Sequence, residues 1–290
     1  MIADYYLLII SLVWVLFASI QDIRKREVAN WLNFSLLGFA LIFRFGQSWF
    51  SGNWDYLFFG LVGVGVYFIV ANIFYYTKVF AGGDAKLLWA LGAILPYYSW
   101  QSLWIMLAGF LILFMLTGVI YTGVYSLFLM FKNYRIFSRE FEDTARNSKW
   151  IFYLCWIVCL IIYITSFLNG IKTGFISILL IFLLPLIYCY LRAVEKACLV
   201  SYVGYENLKE GDWLDSAIKI KGKWIGKSVH GLSNHDILLL KKGGKKVWLK
   251  EGIPFVPVFL VSIIIMLYAF SSGLLEYLTF DKIVSLFLGF

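Results

Sequence analysis

Two aspartates stand in apolar surroundings where a carboxylate needs a reason. Asp22 lies in FASIQDIRKREVANW, at the end of the first apolar run, and Asp84 follows Gly82 and Gly83 in VFAGGDAKLLWALGA, at the head of a later one. Ionisable groups at membrane depth are costly, and helices carry them where they pair, face water or do chemistry. Each aspartate has a plainer reading when taken alone. Asp22 reads as a solvated helix end ahead of Arg24, Lys25 and Arg26, and Asp84 as a cap on free helix amides. A cap explains Asp84 but not both glycines, which allow torsions and close approach that a side chain would block. Two carboxylates within hydrogen-bond reach cannot both ionise easily and hold one proton between them. The ionised member can then take a proton from water while the protonated member donates to a substrate carbonyl. That is aspartic-protease chemistry, which requires neither a metal nor a nucleophilic side chain.

The elements that must position this pair are membrane helices. The chain has 290 residues, of which 62% are hydrophobic and 14% charged, and its mean hydropathy is +0.82. One soluble core cannot hide that much apolar surface, so the expected fold is an α-helical polytopic membrane protein with about 6–8 transmembrane helices and a small α+β cytoplasmic insertion. Runs long enough or nearly long enough to span are Tyr5–Ile20, Trp31–Phe45, Leu57–Tyr76, a short Ala85–Tyr97, Leu103–Phe131, Trp150–Leu168, Gly174–Leu191 and Pro254–Ser271. The first run lacks a basic n-region and a small-residue cleavage site, so it reads as a retained span. Two crossings separate Asp22 from Asp84, which puts both at one face.

Alternating the loops places Arg24, Lys25, Arg26, Lys78, Lys132, Arg135, Arg139, Arg146, Lys149 and the segment Arg192–Lys250 on one side, against little more than Arg44, Lys172 and Lys282 on the other. By the positive-inside rule the first side is cytoplasmic and the N-terminus external, so the expected location is the cell membrane with the aspartates toward the cytoplasm. The same bias accounts for the net charge of +8, and no nucleic-acid partner is expected. Three regions follow: residues 1–191 as the transmembrane domain with both aspartates, 192–252 as a cytoplasmic soluble domain, and 253–290 as a last span with an interfacial tail. In the insertion, AIKIKGKWIGKSV alternates like a hairpin, and SNHDILLLKKGG opens with a capping box, Ser233 to Asp236, and closes its helix at Gly243. Neither His230 and His235 nor the cysteines Cys155, Cys159, Cys189 and Cys198 show metal-ligand spacing, so no metal and no cofactor is expected.

Three stretches in this order, SIQDIRKREVANW, AGGDAKLLWALGA and LKEGIPFVPVF, resemble the archaeal type IV prepilin peptidases, including the preflagellin (pre-archaellin) peptidases, which are GxGD membrane aspartic proteases. The resemblance runs from about Ile20 to Val258. It implies that Asp22 and Asp84 are the catalytic pair and that the glycine motif falls on Ala81, Gly82, Gly83 and Asp84, with alanine in place of its first glycine and with Gly82 and Gly83 expected to form the active-site loop. Gln21 and Lys86 become supporting candidates, Lys86 on a lipid head or tuning the pair, with a plain snorkelling lysine at the interface as the other reading. The implied partners are prepilin or pre-archaellin precursors, cut between a short basic leader and the apolar helix, together with membrane lipid. Bacterial relatives often also methylate the product and carry a cysteine-rich loop after the first span. This chain has no cysteine before Cys155, and no methyltransferase activity is expected. A proton- or cation-coupled transporter using Asp22 and Asp84 is the alternative reading.

Overall fold

The computed structural model describes residues 2–169, 174–220, 223–226, 231–243 and 246–272, and these form a largely helical, polytopic membrane protein. Five helices are long and apolar enough to cross a bilayer: α1 (Ile2–Lys25), α3 (Asp55–Tyr76), α5 (Trp100–Lys132), α7 (Lys149–Leu168) and α8 (Gly174–Val194). The remaining helices of the bundle are α2 (Asn30–Ser51), α4 (Gly82–Leu91), amphipathic α6 (Tyr134–Asn147) and, after the small strands, α10 (Val256–Ser271), a shorter apolar helix. The expected interfacial tail beyond Ser272 lies outside the described residues, as does His230.

Two compact units share the chain. The first comprises Met1–Gly123 with Ile253–Phe290, and the second comprises Val124–Gly252. In the first, α1 packs along α10, and α3 and α2 pack against α4. A cluster of phenylalanines fills its interior, with half-buried Phe255 packed against it: Phe114 and Phe259 lie 4.4 Å apart between ring centroids, Phe80 and Phe114 5.8 Å, and Phe80 and Phe255 5.7 Å. The helices that turn back near the aspartates stop for local reasons. Arg26 (φ 55°) follows α1 and Lys78 (φ 61°) follows α3, both in the left-handed region, which L side chains enter only when the surroundings enforce it. At Lys78 the reversal is held by the Phe74 carbonyl, which accepts from the amides of both Val79 and Phe80.

One expected span is corrected. The apolar run Ala85–Tyr97 does not cross: α4 covers only Gly82–Leu91, ten residues, which is about 15 Å of rise against roughly 30 Å of hydrocarbon. Its end lies at a close backbone contact. A Cβ at Gly63 would stand 2.5 Å from the Gly92 carbonyl oxygen, and one at Gly92 would stand 2.7 Å from the Gly63 oxygen, so α3 and the end of α4 meet main chain to main chain. Gly63→Val should therefore lower the unfolding midpoint of the detergent-solubilised protein, costing at least about 3 kcal/mol, the upper range for overpacking, because a backbone atom cannot yield. An unchanged midpoint would contradict this contact.

In the second unit, α7 and α6 pack against α8, and no residue of α7 is buried, as suits a lipid-facing helix. The chain leaves α8 through a π-turn, Glu195–Leu199, and enters a three-stranded antiparallel sheet in which β5 (Val247–Lys250) lies between β1 (Val200–Val203) and β2 (Trp213–Leu214). Val247 and Leu249 face a small core with Leu214, Leu232 and Leu240, while Trp248 and Lys250 face outward. The expected hairpin is present as β3 (Ile218–Ile220) paired with β4 (Lys223–Ile225). The expected helix is α9 (Asn234–Gly243), and its capping box is formed: the Asp236 amide donates to Ser233 Oγ, and the Ser233 amide donates to Asp236 Oδ2, both at 3.2 Å.

Candidate active site

Asp22 lies in the last turns of α1 and Asp84 in the first turn of α4, both within the first unit and both buried, at 6% and 9% exposure. They are close enough for the charge of Asp22 to act on Asp84. The two sequence-predicted carboxylates are thus brought together from helices on either side of α2 and α3 in the chain.

Each is oriented by main-chain donors. The Val256 amide donates to Asp22 Oδ2 at 2.9 Å, and the Phe255 amide also hydrogen-bonds this carboxylate. These belong to the start of α10, where helix N–H groups have no partners of their own, so a carboxylate there meets both free donors and the positive end of the helix dipole. Asp84 accepts from the Ala81 amide, the residue just before the helix. That is half of a capping box, with alanine unable to return the bond. Asp22 therefore ties the end of α1 to the start of α10, and Asp84 caps the start of its own helix, both carboxylates remaining buried.

Gly82 and Gly83 form the first turn of α4 rather than a loop ahead of it. What Gly83 needs is proximity: a Cβ there would lie 3.4 Å from both the Cβ and the amide nitrogen of Val28, in the turn between α1 and α2. The neighbouring carbonyl is also spoken for, since the buried Asn33 of α2 donates its Nδ2 to the Gly83 oxygen at 3.1 Å. Of the supporting candidates, Gln21 accepts the Ala29 amide at 3.2 Å and so braces the α1–α2 turn. Lys86 donates to Asn30 Oδ1 at 2.6 Å and stands 6.0 Å above the Phe34 ring. Neither is placed between the carboxylates by these bonds. Asn33 and the α10 amides escaped sequence reasoning. A polar side chain inside an apolar helix was the available signal for Asn33, whereas nothing local marks an amide more than two hundred residues from Asp22.

Among the described residues no group of three or more His, Cys, Asp or Glu side chains is arranged to hold a metal ion. The pair can act chemically as two carboxyl groups in a mostly apolar setting, one taking a proton as the other gives one.

A membrane helix bundle with two buried, main-chain-oriented aspartates at one end of its first unit is the class that fold and site define. Residues 9–127 match the type IV leader peptidase family, and this stretch includes Gln21, Asp22, Gly82, Gly83, Asp84 and Lys86. Curated relatives agree. A preflagellin peptidase of Methanococcus voltae is 30% identical over 132 residues, 43% of this chain and 56% of its own length. A preflagellin peptidase of Methanocaldococcus jannaschii is 33% identical over 91 residues, 31% of this chain and 38% of its own. The prepilin peptidase EppA of Methanothermobacter thermautotrophicus is 25% identical over 221 residues, 70% of this chain and 57% of its own. The chain thus spans between 38% and 57% of the length of these relatives. No solved structure matches it.

Proposed function

We propose that this chain is a membrane aspartic endopeptidase that removes the short basic leader from prepilin-like or pre-archaellin precursors at the cytoplasmic face, with Asp22 and Asp84 as its catalytic pair. The observation that carries the reading is the meeting of two buried carboxylates at the ends of α1 and α4, inside the stretch that matches the leader peptidase family. The pair shares a proton. Its ionised member draws a proton from a water as that water attacks the scissile carbonyl, and its protonated member donates to the carbonyl oxygen. Which aspartate starts in which form is a property of the pair rather than of either residue. The amides of Phe255 and Val256 hold the Asp22 carboxylate in place, and the Ala81 amide does the same for Asp84. The site acts as peptidase alone, without a methyltransferase step, and works with membrane lipid around it.

Cytoplasmic orientation is supported by the basic residues beside the pair, Arg24, Lys25, Arg26 and Lys78. In a background without the native cysteines, Lys78→Cys should resist a membrane-impermeant maleimide in intact cells and react in inverted vesicles; labelling from outside intact cells would put the pair on the wrong face. The function itself is tested by co-expression with archaellin and pilin precursors. The expected result is conversion of at least one precursor to a faster-migrating form only when this chain is present, and every precursor remaining full length would overturn the proposal.

A further inference from the structure

α4 stops after ten residues; the Trp89, Ala90 and Leu91 carbonyls at its end accept from the amides of Gly92, Ala93 and Ile94, and the chain then runs on through buried residues to Tyr97. Unpaired main-chain groups in such a segment are costly, and the carbonyls of Ala93 and Leu95 need a donor. The partner is Arg44 of α2. Sequence alone counted it among loop charges outside the membrane, but it is fully buried. Its Nε donates to the Ala93 carbonyl at 2.6 Å, one terminal nitrogen to the Leu95 carbonyl at 2.5 Å, and the other to the Tyr56 carbonyl at 2.8 Å. The guanidinium lies over the rings of Tyr56 and Tyr97, 4.4 and 5.5 Å from their centroids, and Gly60 leaves the room its stem occupies, since a Cβ there would collide with Arg44 Cδ. A planar fork with five donors can serve three carbonyls in different directions, which the point charge of a lysine cannot do equally well. About three turns earlier on the same helix, Asn33 donates to the Gly83 carbonyl. α2 thus grips α4 at both ends.

We propose that Arg44 is a positioning residue: by tying the carbonyls beyond the C-terminus of α4 to α2 and α3, it sets the height of α4 and hence where Asp84 stands opposite Asp22. Its consequence for cleavage rests on the proposed function above; its consequence for geometry does not.

The test has two arms. The first is a cross-link between Val28→Cys and Gly83→Cys in a background without native cysteines. A Cβ at position 83 lies 3.4 Å from that of Val28, at the near edge of the roughly 3.5–4.5 Å a disulfide uses. The pair should oxidise readily in the otherwise wild-type chain and lose most of its cross-link when Arg44→Met is added, with Arg44→Lys in between. The second arm measures precursor cleavage by the chain with only the Arg44 change. There kcat should fall about 100-fold with KM little changed, as displacement of a reacting group by about an ångström does. Should Arg44→Met fail to insert, Gly60→Ala displaces the same side chain while keeping its charge, and should move both readouts in the same direction. If Arg44 merely stabilises the fold, less protein will be folded, but the folded molecules will cross-link and cleave at wild-type rates, and the proposal is overturned. A shifted cross-link in a chain whose wild type cuts no precursor would defeat the proposed function and leave the positioning role standing.

Discussion

Asp22→Asn and Asp84→Asn are each expected to lower the rate of precursor cleavage by at least about 10³-fold, the scale of loss when one member of a concerted catalytic set is removed. Asparagine keeps the size of the side chain and an oxygen that can still accept a main-chain amide. Asp22→Asn should therefore retain the bond from Val256 that anchors α10, and Asp84→Asn the bond from Ala81. Insertion and folding should survive while proton transfer does not. Rates are to be measured on protein in lipid vesicles, with the folded fraction measured alongside, so that the loss is assigned to chemistry. A variant that is inserted, folded and still cuts at the wild-type rate would remove that aspartate from the mechanism and favour a transporter, in which one carboxylate can matter without the other.

The second large effect concerns Gly83. A bare Cβ there would rest 3.4 Å from Val28 Cβ and from the Val28 amide nitrogen, which is contact without collision. Gly83→Ala should consequently keep cleavage within about tenfold of wild type. The branched methyls of valine reach further and would press on the backbone of the α1–α2 turn, which cannot rotate out of the way. The first turn of α4 would then move and take Asp84 with it, and Gly83→Val should lose at least about 100-fold in kcat, the cost of a displaced reacting group. The graded pair is the check: equal, near-wild-type rates in both variants would mean that the close approach at Gly83 plays no part in placing the carboxylate.

How much of this could be read from the sequence depends on how local the cause was. The carboxylates stood out because charge in an apolar run demands a reason, and five expected spans correspond to helices long enough to cross. The Ser233–Asp236 capping box and the Ile218–Ile225 hairpin were legible because their determinants lie within a few residues of each other. α4 was misjudged for the opposite reason. Hydropathy continues past Leu91 to Tyr97, whereas the α-helix gives way to tighter turns at Gly92, where the backbone meets that of Gly63 on another helix. Arg44 was misplaced because a charge near the end of an apolar run resembles a loop residue, and its three carbonyl partners come from segments 12 to 51 residues away. The donors to Asp22 lie further still, 234 residues along the chain at Val256. The site is assembled from such long-range contacts, so the sequence pointed to its acids but not to what holds them.

The central claim is that Asp22 and Asp84 cleave the precursor as one unit, and a double-mutant cycle tests it most directly. Rates of leader removal are measured in lipid vesicles for wild type, Asp22→Asn, Asp84→Asn and the double variant, with the new N-terminus sequenced to confirm a cut between the basic leader and the apolar helix. If the pair shares one proton and one task, the double variant will be no slower than either single one, so that the coupling is nearly as large as each separate loss. Losses that simply multiply, or cleavage that persists unchanged without one of the two carboxylates, would contradict the account.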